Sequence, residues 1–305
     1  MYAFHTLWTK PSFLKKDPYK MNNAEILTMV ISALMWRKYN GKIKLFTDKE
    51  GLNFIEKNNL SDIWNEIDVS VLENNTYSID PTIFWAAGKL IALEASTCPC
   101  VMLDTDLIVV NSINNILSGS EITALHSEPL NSEVYINPNY LKKPNGYNFP
   151  IFYDWNVLPS NTAFLYISDN RFRNFYLEQS KSFMFNNFEK PMENISQMVF
   201  AEQRLLSICA AIKDIDIHYL LESPYSLNNA TIVHLWGFKE VLRKNSVLEK
   251  LFIDKLINRF NKDLKCLQDI ALPYLQAHCQ SPSSQRSNQS FVKELAMPTQ
   301  REKLL

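Results

Sequence analysis

Apolar residues in the first two hundred positions fall into short runs separated by longer stretches with helical spacing. YAFHTLW at 2–8, KIKLFT at 42–47, IDVSVL at 67–72 and CVMLD at 100–104 read as strands. Residues 22–39, 49–58 and 80–96 between them read as helices, with Asp80 placed to cap the third and Pro81 suited to its first turn. Beyond them, SNTAFLYIS at 160–168 predicts a strand, 169–180 and 196–212 predict helices, and TIVHLWG at 231–237 predicts a strand and turn. Alternation of this kind predicts an α/β fold, a mainly parallel sheet with helices on both faces. Ligands of such sheets sit beyond the carboxyl ends of the strands.

One of those ends carries unusual chemistry. VMLDTDLIVV, at 101–110, sets Asp104 and Asp106 between two of the most apolar runs of the chain. Ionised carboxylates at the border of a core need hydrogen bonds, a cationic partner or a metal ion. In extended backbone, residues two apart point the same way, which predicts that both carboxylates meet at one locus. Two hard oxygen ligands suit Mg²⁺ or Mn²⁺ better than a structural zinc. A strand end capped by two aspartates is the alternative.

The segment 127–159 breaks the alternation with five prolines and seven aromatic residues, and is expected to be a long loop. Its aromatic faces could stack on a sugar or pin the loop to the domain; in the first case it is a lid. Residues 1–262 are expected to form one catalytic domain, 263–278 a helical extension, and the polar 279–305 a disordered tail.

Composition narrows the partners. A net charge of −1 gives no electrostatic footprint for nucleic acid. Five scattered cysteines make no disulfide framework, and the N-terminus lacks the basic start and apolar run of a secretory leader. A cytoplasmic location is expected, with any membrane contact peripheral. The six glycines assemble neither G-x-G-x-x-G nor a P-loop, so phosphate would have to be held another way. A divalent cation on paired carboxylates is one such way.

With these residues in order, the sequence resembles glycosyltransferases of the GT-A fold, most closely the retaining glycogenin-like and lipopolysaccharide galactosyltransferase-like family or a sister family. The resemblance spans residues 1–245 and rests on five elements. A strand ends in Asp104-Thr105-Asp106, and Lys89 lies on the preceding helix. Asn161 opens a later strand, with Ala163 where the family has glycine. Glu202-Gln203 matches an acidic-Gln pair, with Glu in place of Asp. His234, Gly237 and Lys239 match H-x-x-G-x-x-K with one spacer fewer. The resemblance implies Asp104, Asp106 and His234 as ligands of Mn²⁺ or Mg²⁺, and a nucleotide-diphosphate sugar, a uridine one, as donor. It implies Gln203, Glu202 and Asn161 near the anomeric centre. Thr6, Trp8, Asp48, Lys89, Thr105, Gly237 and Lys239 would contact the donor, and the acceptor would be a glycan or glycolipid. Two other readings stand beside it: a haloacid-dehalogenase-like phosphatase, whose first motif is also Asp-x-Asp, and a non-catalytic GT-A-like module that binds a nucleotide sugar or glycan.

Overall fold

The computed structural model describes residues 2–14, 19–75, 77–131, 133–191, 195–223, 231–235 and 237–260. The expected extension at 263–278 and tail at 279–305 lie outside the described residues. In chain order, β1 (Tyr2–Leu7) leads through α1 (Lys10–Leu14) and α2 (Asn23–Tyr39) to β2 (Lys42–Thr47). Then follow α3 (Lys49–Lys57), β3 (Glu66–Asp68), α4 (Ser70–Glu73), α5 (Ala87–Ala95), β4 (Cys100–Leu103) and β5 (Leu107–Val109). After α6 (Asn114–Leu117) come β6 (Ile122–Ala124), β7 (Phe164–Ile167), α7 (Asn170–Met184) and α8 (Ser196–Val199). A π-helical turn (Phe200–Arg204) joins α8 to α9 (Leu205–Ile212), and β8 (Ile217–Tyr219), β9 (Ile232–His234), α10 (Phe238–Lys244) and α11 (Ser246–Phe260) complete the set.

Seven strands form the main sheet in the order β3-β2-β1-β4-β7-β6-β8, and β5 pairs with β9 in a second sheet of two. Among the described residues, only β7 of the large sheet runs against the rest, antiparallel to both β4 and β6. This is the expected α/β arrangement, a mostly parallel sheet with helices on both faces. The strands are apolar on both sides because both sides are covered. Ala3, Leu7, Val101 and Leu103 face α2 and α11, packing with Met29, Trp36 and Phe252. Phe4, Cys100 and Met102 face the opposite layer of α5, α7 and α9, with Phe84, Tyr176 and Leu205.

Three expectations are corrected. The run at 67–72 is not one strand: β3 stops at Asp68, whose carboxylate takes the Ser70 hydroxyl at 2.7 Å and the Val71 N–H at 3.3 Å and so starts α4. The helix expected from Asp80 begins at Ala87 instead. Asp80 holds a turn ahead of it, accepting from the Thr82 N–H at 2.8 Å and hydroxyl at 2.7 Å. The strand expected over 160–168 is regular only from Phe164 to Ile167, because Asn161 bends the chain before it by accepting the Ala163 N–H at 3.0 Å. The strands β6 and β8, three residues each, and the helices α10 and α11 were not anticipated.

Candidate active site

The site grows from the end of β4. That strand carries the core to Leu103, and the Asp104 N–H then donates to Ala163 O at 2.8 Å, tying the strand end to β7's approach. The chain turns at once: the Leu107 N–H donates to Asp104 O at 3.1 Å. Asp104 and Asp106 therefore converge across a tight turn and not along extended backbone, which corrects the geometry, though not the meeting point, expected from their spacing. β5 leaves the turn antiparallel to β9, with Leu107 opposite His234. The pairing brings the imidazole to the carboxylates: ligand atoms of Asp104, Asp106 and His234 lie within 4.8 Å of one another. Two carboxylates and an imidazole make a mixed oxygen and nitrogen set that Mn²⁺ accepts.

Two lysines neutralise this locus. Lys239 Nζ is 2.9 Å from Asp106 Oδ2, and Lys89 Nζ lies 2.6 Å from Asp104 Oδ1 and 2.5 Å from Glu202 Oε1. Burial works against the Lys89 ammonium, but Asp104 and Glu202 outweigh it and hold it protonated, above its ordinary range. Burial likewise works against the Asp104 carboxylate, and Lys89, Lys239 and His234 together keep it below its usual value. Burial dominates at His234 and lowers it, despite Asp106 and Asp104, so the ring is neutral near pH 7, the form that ligates metal.

The opposite wall comes from the π-helical turn. A π turn inserts a residue into a helix and is common at functional sites. Here it presents Glu202 and Gln203 in sequence. Glu202 is buried, accepting the Thr162 hydroxyl at 2.8 Å on its carboxylate and the Tyr176 hydroxyl at 2.6 Å on its carbonyl. Gln203 Oε1 accepts the Tyr135 hydroxyl at 2.5 Å. The Asn161 amide donates to Glu128 Oε1 at 3.0 Å. Lys89 reaches the centre from the first turn of α5, where Gly88 leaves room for Trp8: a Cβ there would come within 2.8 Å of the Trp8 Cβ.

These groups line one cleft of about 1110 Å³, which every site residue expected from the sequence borders except Asp48. Among the described residues, the Thr6 hydroxyl has no hydrogen-bond partner. Asp48 is spent elsewhere. It caps α3 through the Gly51 N–H at 2.9 Å, and it also takes the Thr9 N–H and hydroxyl, both at 2.8 Å, and the Lys10 N–H at 3.1 Å. Asp48 thus does not border the cleft with the other expected site residues. Glu128 and Tyr135 are among the wall residues not singled out from the sequence. Glu128 sits in a loop with no periodic signal; Tyr135 was noted only as one of the aromatic residues of 127–159. That loop divides its work: Phe149 and Trp155 pack on Phe183 and Phe200, while Pro129, Val134, Tyr135 and Leu158 border the cleft. No helix among the described residues is long and apolar enough to cross a membrane.

A family model described as a family of unknown function, DUF6734, matches residues 1–271. No curated protein matches the chain. Among solved structures it is similar to the PaToxG glycosyltransferase at 13% identity, over 97% of this chain and 83% of that one, with a TM-score of 0.40. It is similar to mouse xyloside xylosyltransferase 1 at 11% identity, over 72% and 84%, with a TM-score of 0.37. A nucleoside-diphosphate-sugar pyrophosphorylase from Vibrio cholerae follows at 9%, over 79% and 98%, with a TM-score of 0.43. Likenesses this distant assign no activity.

Proposed function

We propose, for a chain that belongs to the family of unknown function DUF6734, that the cleft is the active site of a metal-dependent glycosyltransferase. The donor is a nucleotide-diphosphate sugar, a uridine one, and the acceptor a hydroxyl of a glycan or glycolipid, with configuration at the anomeric carbon retained. The observation that carries this reading is the meeting of Asp104, Asp106 and His234 in a large cleft beside Lys239 and opposite Glu202 and Gln203.

The residues divide the work. Asp104, Asp106 and His234 would hold the cation, which when bound supplies Lewis-acid neutralisation of the departing diphosphate. Lys239 donates to the same phosphates, adding positive charge where negative charge develops. Lys89 bridges Asp104 and the buried Glu202, offsetting part of their negative charge, so that the carboxylates stay in place without a ligand. Gln203 and Glu202, with Asn161, line the sugar side and orient the anomeric carbon. Trp8 and Thr6, at the carboxyl end of β1, border the part of the cleft where the nucleotide base would lie.

The test is a thermal-shift series with Mn²⁺, with UDP and with both, followed by a panel of UDP-sugars. A ligand that binds only the folded state raises its melting temperature by mass action. Mn²⁺ and UDP together should raise it more than the two separate shifts added. Equal shifts with EDTA present would refute the metal-bridged reading.

A further inference from the structure

The cation locus hangs on a turn whose backbone is itself held from behind. The Leu235 N–H donates to Asp106 O at 3.1 Å and the Val110 N–H to Thr231 O at 2.8 Å. The bonded pairs of the β5 ladder therefore fall at Asp106, Ile108 and Val110, and the Leu107 carbonyl faces away from β9. Among the described residues, the second sheet has no further strand on that edge. A buried carbonyl left there without a donor costs free energy, and Leu107 is fully buried. Its donor is Ser32 on α2, whose hydroxyl reaches Leu107 O at 2.5 Å.

Ser32 departs from the habit of helical hydroxyls in this chain. Thr28, Ser96 and Ser180 each bond back to the carbonyl four residues earlier, as side chains of this type commonly do. The Ser32 proton goes out to the turn because its oxygen is already engaged by His5 Nε2 at 3.1 Å. The direction of that bond is fixed one step further back. Trp64 Nε1–H, which can only donate, bonds His5 Nδ1 at 3.2 Å. Nδ1 is then the acceptor, Nε2 carries the ring proton and donates to Ser32, and the Ser32 hydroxyl is left to donate to Leu107. Trp64, His5 and Ser32 are all buried.

We infer that Ser32 and His5 are positioning residues for the cation site: the relay from the Trp64 indole through His5 and Ser32 to the Leu107 carbonyl sets the turn in which Asp106 presents its carboxylate and Leu107 meets His234. The inference rests on the metal-dependent reading of Asp104, Asp106 and His234. Outer groups that orient metal ligands change metal affinity by about 10- to 100-fold when removed. Loss of the Ser32 hydroxyl frees the Leu107 carbonyl to rotate, and both Asp106 and His234 move with it.

The experiment is a Mn²⁺ titration followed by electron paramagnetic resonance, on wild type, Ser32→Ala, Trp64→Phe and Thr28→Ala. Thr28 is the control, because its hydroxyl bonds within α2 to Ala24 O and not to the Leu107 carbonyl. Ser32→Ala is expected to bind Mn²⁺ about tenfold more weakly, with an altered spectrum of the bound ion. Trp64→Phe, which removes the donor that fixes the His5 tautomer, should shift affinity the same way. Thr28→Ala should lower the melting temperature and leave Mn²⁺ binding unchanged. Wild-type protein with no bound-Mn²⁺ signal would overturn the metal reading itself. Wild-type binding that Ser32→Ala and Trp64→Phe reproduce, in affinity and spectrum, overturns the positioning role alone. So does a loss of affinity in Thr28→Ala equal to theirs.

Discussion

Lys239 Nζ lies 2.9 Å from Asp106 Oδ2, so a lysine of the cleft is bonded to one of the carboxylates proposed to take the cation. The lysine and a bound metal ion would share one carboxylate. Lys239 is one-third exposed and stands at the start of α10, on the side of the cleft where Gly237 also lies. On the proposed mechanism it leaves Asp106 for the diphosphate when metal and donor bind.

Lys239→Met separates those two roles. Mn²⁺ alone should bind the variant at least as tightly as wild type, since the competing ammonium is gone. UDP in the presence of Mn²⁺ should bind about tenfold more weakly, the loss of one charge-assisted bond worth about 1.5 kcal/mol. Calorimetric titration of each ligand in turn checks both. A parallel loss of Mn²⁺ and UDP affinity would count against the exchange.

Lys89 has a different part. Its side chain is nearly buried and its ammonium bridges the partly exposed Asp104 and the buried Glu202, so Lys89→Met leaves the Glu202 carboxylate buried without its cation. Removing one partner of a buried ion pair costs about 3–5 kcal/mol. Urea unfolding should show a loss of that order in Lys89→Met. Adding Glu202→Gln removes that stranded charge and should return part of the loss; a double variant less stable than Lys89→Met would show that the lysine acts through packing alone.

What could be read from sequence and what could not follows from how each feature is encoded. Cys100–Leu103 and Leu107–Val109 are wholly buried runs, and such runs stand out by composition alone. Asp104 and Asp106 were legible because charges at a core border need an explanation. The turn that joins them was not, since three residues carry no periodicity that separates a turn from extended backbone. β6 and β8 were missed for the same reason. Asp48 shows a deeper ambiguity: an aspartate following a strand serves equally to cap the next helix or to reach a ligand, and only the positions of the Thr9, Lys10 and Gly51 donors decide between them. α11 was within reach, for Phe252, Ile253, Leu256 and Phe260 have helical spacing and form its buried face. The Ser32 relay has no local signal, because its members come from α2, β1, Trp64 and the β4–β5 turn.

His5 links stability to pH. Burial pushes its imidazole down from 6.5 to about 3, with a small opposing effect of Asp104. Folded protein thus keeps the ring neutral at pH values where the unfolded chain protonates it. Below 6.5 the unfolded state binds the extra proton, so this contribution to stability is complete above 6.5 and is lost as pH falls toward about 3. The slope from one such group approaches about 1.4 kcal/mol per pH unit. Chemical unfolding of wild type and His5→Gln at several pH values between neutrality and mild acid should give curves that converge as pH falls. Parallel curves would mean that His5 takes up its proton in the folded state as readily as in the unfolded one.

Asp106→Asn is the most direct probe of the centre. The substitution keeps the size of the side chain and one oxygen while deleting a charge. In the metal-free protein it also removes the ion pair with Lys239, which is partly exposed, so only a modest change in melting temperature is expected. Turnover should respond far more. On the proposed mechanism the cation would neutralise charge that develops on the leaving diphosphate, and an interaction strengthened in the transition state is lost from the rate rather than from donor binding alone. Removal of one preorganised electrostatic stabiliser lowers turnover by about a hundredfold or more. Raising Mn²⁺ should restore part of that loss, since Asp104 and His234 would still offer ligands to the ion. A variant that folds as wild type does and transfers sugar within a few-fold of its rate would make the carboxylate of Asp106 a structural partner of Lys239, and the metal-dependent reading of the cleft would fail with it.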